Sequence, residues 1–280
     1  MTSLLVTGGV GTVGSAVVRH YLKTQDFDRV VIFSRDEFKQ EALRRELSDP
    51  RLRFFLGDVR DKDRLRRACD GIDTIVHCAA LKMIQSGETD PHEVVKTNVD
   101  GTVNLIDAAL DCNVRRVVAI STDKAVLPTC LYGYTKATME SLVLHAKAYV
   151  GHRRTSFACV RMGNIVNSRG SVIPYFRKLR SEGKSLPVTD TRMTRYWVPV
   201  ETAQELISKA VWFEGGGVFT PPRAAFRMTD LLAAFACNWH TTAIRDGEKL
   251  HEQMDATDSS EKPERWVTVE ELREAINAAG

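Results

Sequence analysis

The chain has 280 residues, of which 43% are hydrophobic and 27% charged, and 39 basic against 36 acidic side chains leave a formal net charge of only +3. A chain of this size can bury one large α/β core without staples. Its interspersed charges exclude the electrostatic footprint of a nucleic-acid-binding protein, and the lack of any apolar run of about 18 residues argues against a transmembrane helix.

In chain order, short β-branched runs predict strands at Leu4–Thr7, Arg29–Phe33, Leu52–Leu56, Thr74–Cys78, Arg116–Ser121 and Ser156–Arg161. Helical periodicity separates them at Val13–Lys23, Glu37–Glu46, Lys62–Ala68 and Val94–Asp111. This alternation predicts an α/β fold with a doubly wound parallel sheet, buried on both faces. Beyond about residue 162, strand signals thin out between helices at Glu201–Phe213 and Thr229–Asn238, which predicts a small C-terminal lobe closing over a ligand at the carboxyl ends of the strands. The expected division is a dinucleotide-binding domain over 1–165, with further elements from about 195–215, and a mainly substrate-binding lobe over 166–280. Polar Asp255–Arg265 reads as a flexible linker, and Val267–Ala279 as a last helix capped by Thr268. The basic clusters Arg64–Arg67 and Arg177–Lys184 read as faces of helices. The first residues read as a strand entering a glycine turn rather than as a signal peptide. Cysteines at 69, 78, 112, 130, 159 and 237 show neither CxxC nor zinc spacing, so reduced thiols in a cytoplasmic protein with no metal site are expected.

The first strand runs into Thr7-Gly8-Gly9-Val10-Gly11-Thr12-Val13-Gly14, which opens the first helix. Gly8 permits a tight turn, Gly11 close approach of a pyrophosphate to a helix N-terminus, and Gly14 close helix–strand packing. The second strand ends in Phe33-Ser34-Arg35-Asp36, without the carboxylate that holds a ribose 2′-hydroxyl in NAD sites. Arg35 can pair with a 2′-phosphate, Ser34 can add a hydrogen bond and Lys39 is an accessory cation, so tightly held NADP is expected in preference to NAD. Asp36 reads as a helix cap. Asp58, after the third strand, can accept from an adenine amino group, and the small Ala79 and Ala80 after the fourth let a cofactor lie close.

The fifth strand ends in Ser121-Thr122-Asp123-Lys124, and Tyr132-Gly133-Tyr134-Thr135-Lys136 follows. Tyr132 and Lys136, four apart, share a helix face. A nearby ammonium and the positive nicotinamide ring are expected to lower the tyrosine pKa and make it a base for a substrate hydroxyl held by Thr122. Asp123 and Lys124 supply an acid and a base that a simple reductase or epimerase does not need. Lys124 could take a C5 proton if its pKa is depressed, and protonated Asp123 could donate to a departing C6 hydroxyl.

With these motifs the chain resembles the extended short-chain dehydrogenase/reductases. Within them it is similar to the UDP-N-acetylglucosamine 4,6-dehydratases, most of all the short inverting type. The likeness rests on Thr7–Gly14, Phe33–Glu37, Gly57–Asp61, Lys96–Asn98, Ser121–Ala125, Leu131–Gly133 and Arg161–Asn164, then on Ser168–Val172, Thr189–Arg195 and Gly247–Glu252. It implies that Asp123 is the acid, Lys124 the C5 base and Tyr132 with Lys136 the hydride-transfer pair. It adds Thr7, Thr12, Val13, Val59, Lys82 and Asn98 on the cofactor side. It assigns Lys82, Asn164, Arg169, Val172, Thr189 and Glu248 to a nucleoside-diphosphate hexose, and Arg192, Arg195 and Arg245 suit its diphosphate. The sequence departs from the family where relatives carry Lys-His-Val-Pro and a nearby Glu, reading Lys82-Met83-Ile84-Gln85-Ser86-Gly87-Glu88. It also departs at Pro128-Thr129-Cys130, which lacks the usual Asn, and in a short C-terminal tail. Two alternatives stay open: a UDP-sugar 4-epimerase or 4-reductase, and a non-catalytic NADP sensor. Leu142, Val143, Ala146 and Tyr149 form an apolar stripe, facing either a partner subunit, as in a homodimer or higher oligomer, or the chain's own core.

Overall fold

The computed structural model describes residues 2–278. Seven parallel strands form its main sheet: β1 (Ser3–Thr7), β2 (Arg29–Ser34), β3 (Leu52–Leu56), β4 (Thr74–His77), β5 (Arg116–Thr122), β6 (Ser156–Met162) and β10 (Gly217–Phe219). Their order is β10-β6-β5-β4-β1-β2-β3. The chain therefore reverses its direction of travel between β1 and β4, which opens a crevice beyond their carboxyl ends. The predicted strands agree with the observed ones to within a residue or so.

Alternation along the strands sorts side chains to two cores. Leu4, Val6, Val30, Ile32 and Val76 face a layer holding α1 (Thr12–Thr24), α2 (Glu37–Glu46) and α9 (Val200–Trp212). Leu5, Val31, Phe33, Ile75 and Val117 face α3 (Lys62–Cys69), α6 (Gly101–Asp111) and α7 (Leu131–His145). Buried Arg116 ties the late-sequence α9 to β5, donating to the carbonyls of Ala210 and Gly215. In the first basic cluster, the Arg64 guanidinium lies 3.9 Å from the Phe55 ring centroid, so its stem covers apolar surface.

The stretch read as one helix over Val94–Asp111 is helical throughout but changes its winding within. After α4 (Ile84–Thr89), α5 (Pro91–Val95) starts at a proline, and a π-helical turn over Lys96–Asp100 precedes α6. The π turn, a form that often marks functional sites, carries Asn98. On α7, Val143 is buried in the chain's own core and Leu142 packs against it; in the 3-10 turn Ala146–Tyr149 that follows, Ala146 is buried in the same core while Tyr149 is exposed. Tyr134 is also half exposed.

A second layer follows β6. β9 (Thr194–Val198) lies between β7 (Asn164–Ile165) and β11 (Ala224–Arg227), which pairs in turn with β13 (Arg265–Trp266). β8 (Leu186–Val188) pairs with β12 (Trp239–Thr241). With α8 (Val172–Ser181), α10 (Met228–Phe235) and α11 (Val269–Asn277), these elements enclose a separate core around Phe176, Trp197, Phe226 and Phe235. Thr268 caps α11 in a full capping box with Glu271; Ala279, the last residue of the predicted helix, lies outside the described residues. The stretch 255–265 is not a loose linker. Arg223 pairs with Asp255, Asp258 and Glu264, and Ser260 is fully buried.

Candidate active site

The glycine turn is built for close approach. Gly8 has φ +65°, and a Cβ there would stand 2.8 Å from the Ala79 nitrogen across the β1–β4 crevice. A Cβ on Gly14 would overlap the Gly8 carbonyl oxygen. Gly11 is the N-cap of α1 and brings no side-chain acceptor, and the first turn has no carboxylate. The orphan N–H groups and positive dipole end are thus left to an anion, and the cradle fits a dinucleotide pyrophosphate. Thr7 bonds His77 Nδ1 at 2.7 Å and accepts from the Ala79 N–H at 3.4 Å, which fixes the two strand ends together. Burial pushes the His77 imidazole down to about 3, with the Lys136 charge adding to it.

At the end of β2, Ser34 accepts from the Asp36 N–H, and Asp36 caps α2 as expected while pairing with Lys39. Arg35 is half exposed and stands 3.5 Å from Asp58, which Arg60 also holds at 2.7 Å. Val59 sits in the core. The Asn98 amide is spent on both backbone groups of Leu81, at 2.9 Å each, and on Thr135, so it clamps the segment after β4. Arg169 reaches over the glycine turn, its backbone N–H donating to Thr12 Oγ1 and its side chain to the Val10 carbonyl. It also faces Lys82, whose ammonium is lowered by desolvation and by the Arg169 charge. Met83 lies against Gly170, so the altered 82–88 segment abuts the turn that carries Arg169.

At the end of β5, Thr122 donates to Asp123 Oδ1 at 2.9 Å, and Lys124 Nζ donates to the same oxygen at 3.0 Å. Lys124 also pairs with Glu252 at 3.2 Å. Asp123 is fully buried and Glu252 nearly so, and one oxygen of each, Oδ2 and Oε2, lacks a hydrogen-bond partner. Burial raises the Asp123 carboxyl, and Glu252 adds to the rise against the pull of Lys124, which favours the protonated acid. The condition set for Lys124, a depressed pKa, is not met. Burial presses its ammonium down, but Asp123 and Glu252 together outweigh burial and raise it, so it is held charged. For Tyr132, burial pushes the phenol up to about 12, and the groups that pull it back in part are Lys124 and Thr122. Lys136 is buried, donates to the Ile120 carbonyl at 2.6 Å, and is pushed by desolvation down to about 8.

Lys124, Asn164, Arg195 and Glu248 line one partly open cavity of about 70 Å³, together with Lys249 and Glu252. Arg195 is buried, bonds the Leu250 carbonyl at 3.0 Å and lies 3.7 Å from Glu248. Ile84 and Cys130, both from stretches that depart from the family pattern, are in the same lining. Val172 instead packs against the lobe core, Thr189 donates to Met193 Sδ, Arg192 is an exposed partner of Asp190, and Arg245 is exposed. Glu252 and Lys249 were not singled out from the sequence. Their signal was the charged run Glu248-Lys249-Leu250-His251-Glu252, whose closeness to Lys124 depends on tertiary folding. No group of side chains suited to a metal occurs among the described residues.

The chain is 42% identical to a UDP-N-acetylglucosamine 4,6-dehydratase (inverting) of Campylobacter jejuni, over 92% of this chain and 78% of the relative. It is 37% identical to a UDP-glucose 4-epimerase of Rickettsia rickettsii, over 93% and 79%. The solved structure of Pen from Bacillus thuringiensis superposes with a TM-score of 0.93 at 30% identity, covering 100% of this chain and 98% of that one. A family model described as polysaccharide biosynthesis protein matches residues 4–271. The chain belongs to that polysaccharide biosynthesis family, on the Rossmann fold of the extended short-chain dehydrogenase/reductases.

Proposed function

We propose that this protein is a nucleotide-sugar 4,6-dehydratase acting on UDP-N-acetylglucosamine or a closely related UDP-hexose. The observation that carries the reading is the buried Asp123–Lys124 pair, which directly follows Thr122 at the carboxyl end of β5 and borders a cavity lined by Asn164 and Arg195. A 4-epimerase needs the tyrosine and threonine but has no use for this acid and amine.

A bound nicotinamide dinucleotide supplies the hydride acceptor at C4 and the hydride donor at C6, so the net redox change is zero. Gly8, Gly11 and Gly14 with Thr7, Thr12 and Val13 form its pyrophosphate cradle. Ser34, Arg35 and Lys39 favour NADP over NAD, because no carboxylate claims the ribose 2′-hydroxyl and a half-exposed guanidinium can meet a phosphate. Asp58, Val59, Ala79, Ala80, Lys82 and Asn98 complete that side of the cleft.

Thr122 and Tyr132 hold the C4 oxygen, and Tyr132 carries its proton with Lys136 behind it. Once C4 is a ketone the C5 proton is acidic. Lys124, once it has given up its ammonium proton, takes that proton as the free amine, and Asp123 gives its own to the departing C6 hydroxyl, which leaves as water. Arg195, Asn164, Arg169 and Glu248 bind the sugar nucleotide, with Lys82, Val172, Thr189, Arg192 and Arg245 around them. The lobe over 166–280 closes on a dinucleotide domain over 1–165, completed by late-sequence elements. A homo-oligomer is supported by the exposed Val95, Val103, Tyr134 and Tyr149, and a reducing cytoplasm by six free cysteines.

Incubation with UDP-N-acetylglucosamine, followed by mass spectrometry of the sugar nucleotide, tests this. Loss of one water is expected. A product of unchanged mass with altered C4 stereochemistry would make the epimerase reading correct.

A further inference from the structure

Three charged groups meet at the acid–base end of the cleft, and only two have a role so far. Glu252 is held there by its neighbours. Its N–H donates to Ser260 Oγ and its carbonyl accepts from the Ser260 N–H, both at 2.8 Å, while Ser260 Oγ bonds Thr194 Oγ1 at 2.7 Å. Two residues on, the Met254 carbonyl accepts from Arg161 at 2.7 Å. The carboxylate so fixed lies 3.2 Å from Lys124 Nζ, and Asp123 lies 3.0 Å from the same atom. A single ammonium thus stands between two nearly dry carboxyl groups, each with an oxygen that no hydrogen bond satisfies.

One positive charge can balance one carboxylate, and a second buried anion is costly unless it binds a proton. Arg195 and Lys249 face Glu252, whereas Tyr132 and Tyr196 face Asp123, so the anion settles on Glu252 and the proton on Asp123. Glu248 faces Arg195 from the far side.

We propose that Glu252 is the proton partner of Lys124, a positioning residue whose carboxylate balances the ammonium so that Asp123 keeps its proton. It also accepts the ammonium proton when Lys124 becomes the C5 base. In that step a Nζ–H bond breaks and an Oε1–H bond forms. All three groups become neutral, a state that burial favours once substrate fills the cavity. The proposal rests on the dehydratase reading for its kinetic consequence but not for its protonation consequence.

The test is infrared titration of the full chain with Glu252→Gln, using Asp123→Asn to identify the carboxylic C=O band of Asp123. In Glu252→Gln the midpoint of that band moves to lower pH by at least about one unit, because a negative neighbour is lost. Glu252→Asp, which keeps the charge, restores most of it and serves alone if the glutamine variant does not fold. With UDP-N-acetylglucosamine, Glu252→Gln lowers kcat for water loss by about tenfold or more at little change in KM. An unmoved midpoint overturns the proposal. A moved midpoint in a protein whose wild type eliminates no water supports the proton linkage and sinks the dehydratase reading instead.

Discussion

At the glycine-turn end of the cleft, the main chain carries the geometry: Gly8 and Gly14 exclude side chains, and α1 offers unsatisfied N–H groups. At the acid–base end, buried charge carries it, with Asp123 and Lys124 from the end of β5 meeting Glu252, Lys249 and Arg195 from the second layer. The first end is local and needs few residues to be right. The second works only if distant segments arrive together, since the buried anion there is tolerable only beside its cations. Binding and chemistry in this molecule therefore fail in different ways, and substitutions can separate them.

Asp123→Asn should show the largest effect. It keeps the shape but removes the acid, so turnover falls roughly 100- to 10,000-fold while dinucleotide affinity holds. Equal loss of dinucleotide binding, measured by calorimetry, would mean that the two ends are not separable.

Arg161→Met probes how the second end is held. Arg161 donates to both oxygens of buried Glu140 and to the Met254 carbonyl. Removing it strands a carboxylate and an acceptor, which should cost about 3–5 kcal/mol in denaturant unfolding. A change below about 1 kcal/mol would show that this anchor is dispensable.

His77 links the first end to pH. Its imidazole falls from an ordinary 6.5 to about 3 on burial. The unfolded chain binds the extra proton below pH 6.5, so stability is full above that value and declines as pH drops towards 3. Between pH 6.5 and about 4.5 the loss from this one group is about 2–3 kcal/mol. His77→Asn should flatten that part of the pH–stability curve.

The smallest effect concerns cofactor choice. Arg35→Ala should weaken NADP about tenfold, leaving NAD unchanged. Equal weakening of both would place the Arg35 guanidinium away from the 2′-phosphate.

The first end was nearly all legible in the sequence. Gly8, Gly11 and Gly14 follow a strand, and such a turn has one reading, because periodicity and turn chemistry are local signals. The second end was legible only where its residues are contiguous, as in Thr122-Asp123-Lys124. Nothing local brings Glu252 to Lys124 or Arg161 to Met254, and the polar stretch 255–265 looked loose because the Arg223 that pins it is distant in sequence. Spacing pointed to Lys136 as the helper of Tyr132, whereas Lys124 and Thr122 are the groups that pull its phenol down against burial. For Lys124, nothing local revealed the second carboxylate that outweighs burial. The π turn at Lys96–Asp100 was hidden because its residues keep a helical pattern.

The most direct test of the account is NMR of the product formed from UDP-N-acetylglucosamine in deuterium oxide. The account predicts a 4-keto sugar with a new C6 methyl group and deuterium at C5. A C4 epimer that keeps its C6 hydroxyl and its C5 proton would contradict it.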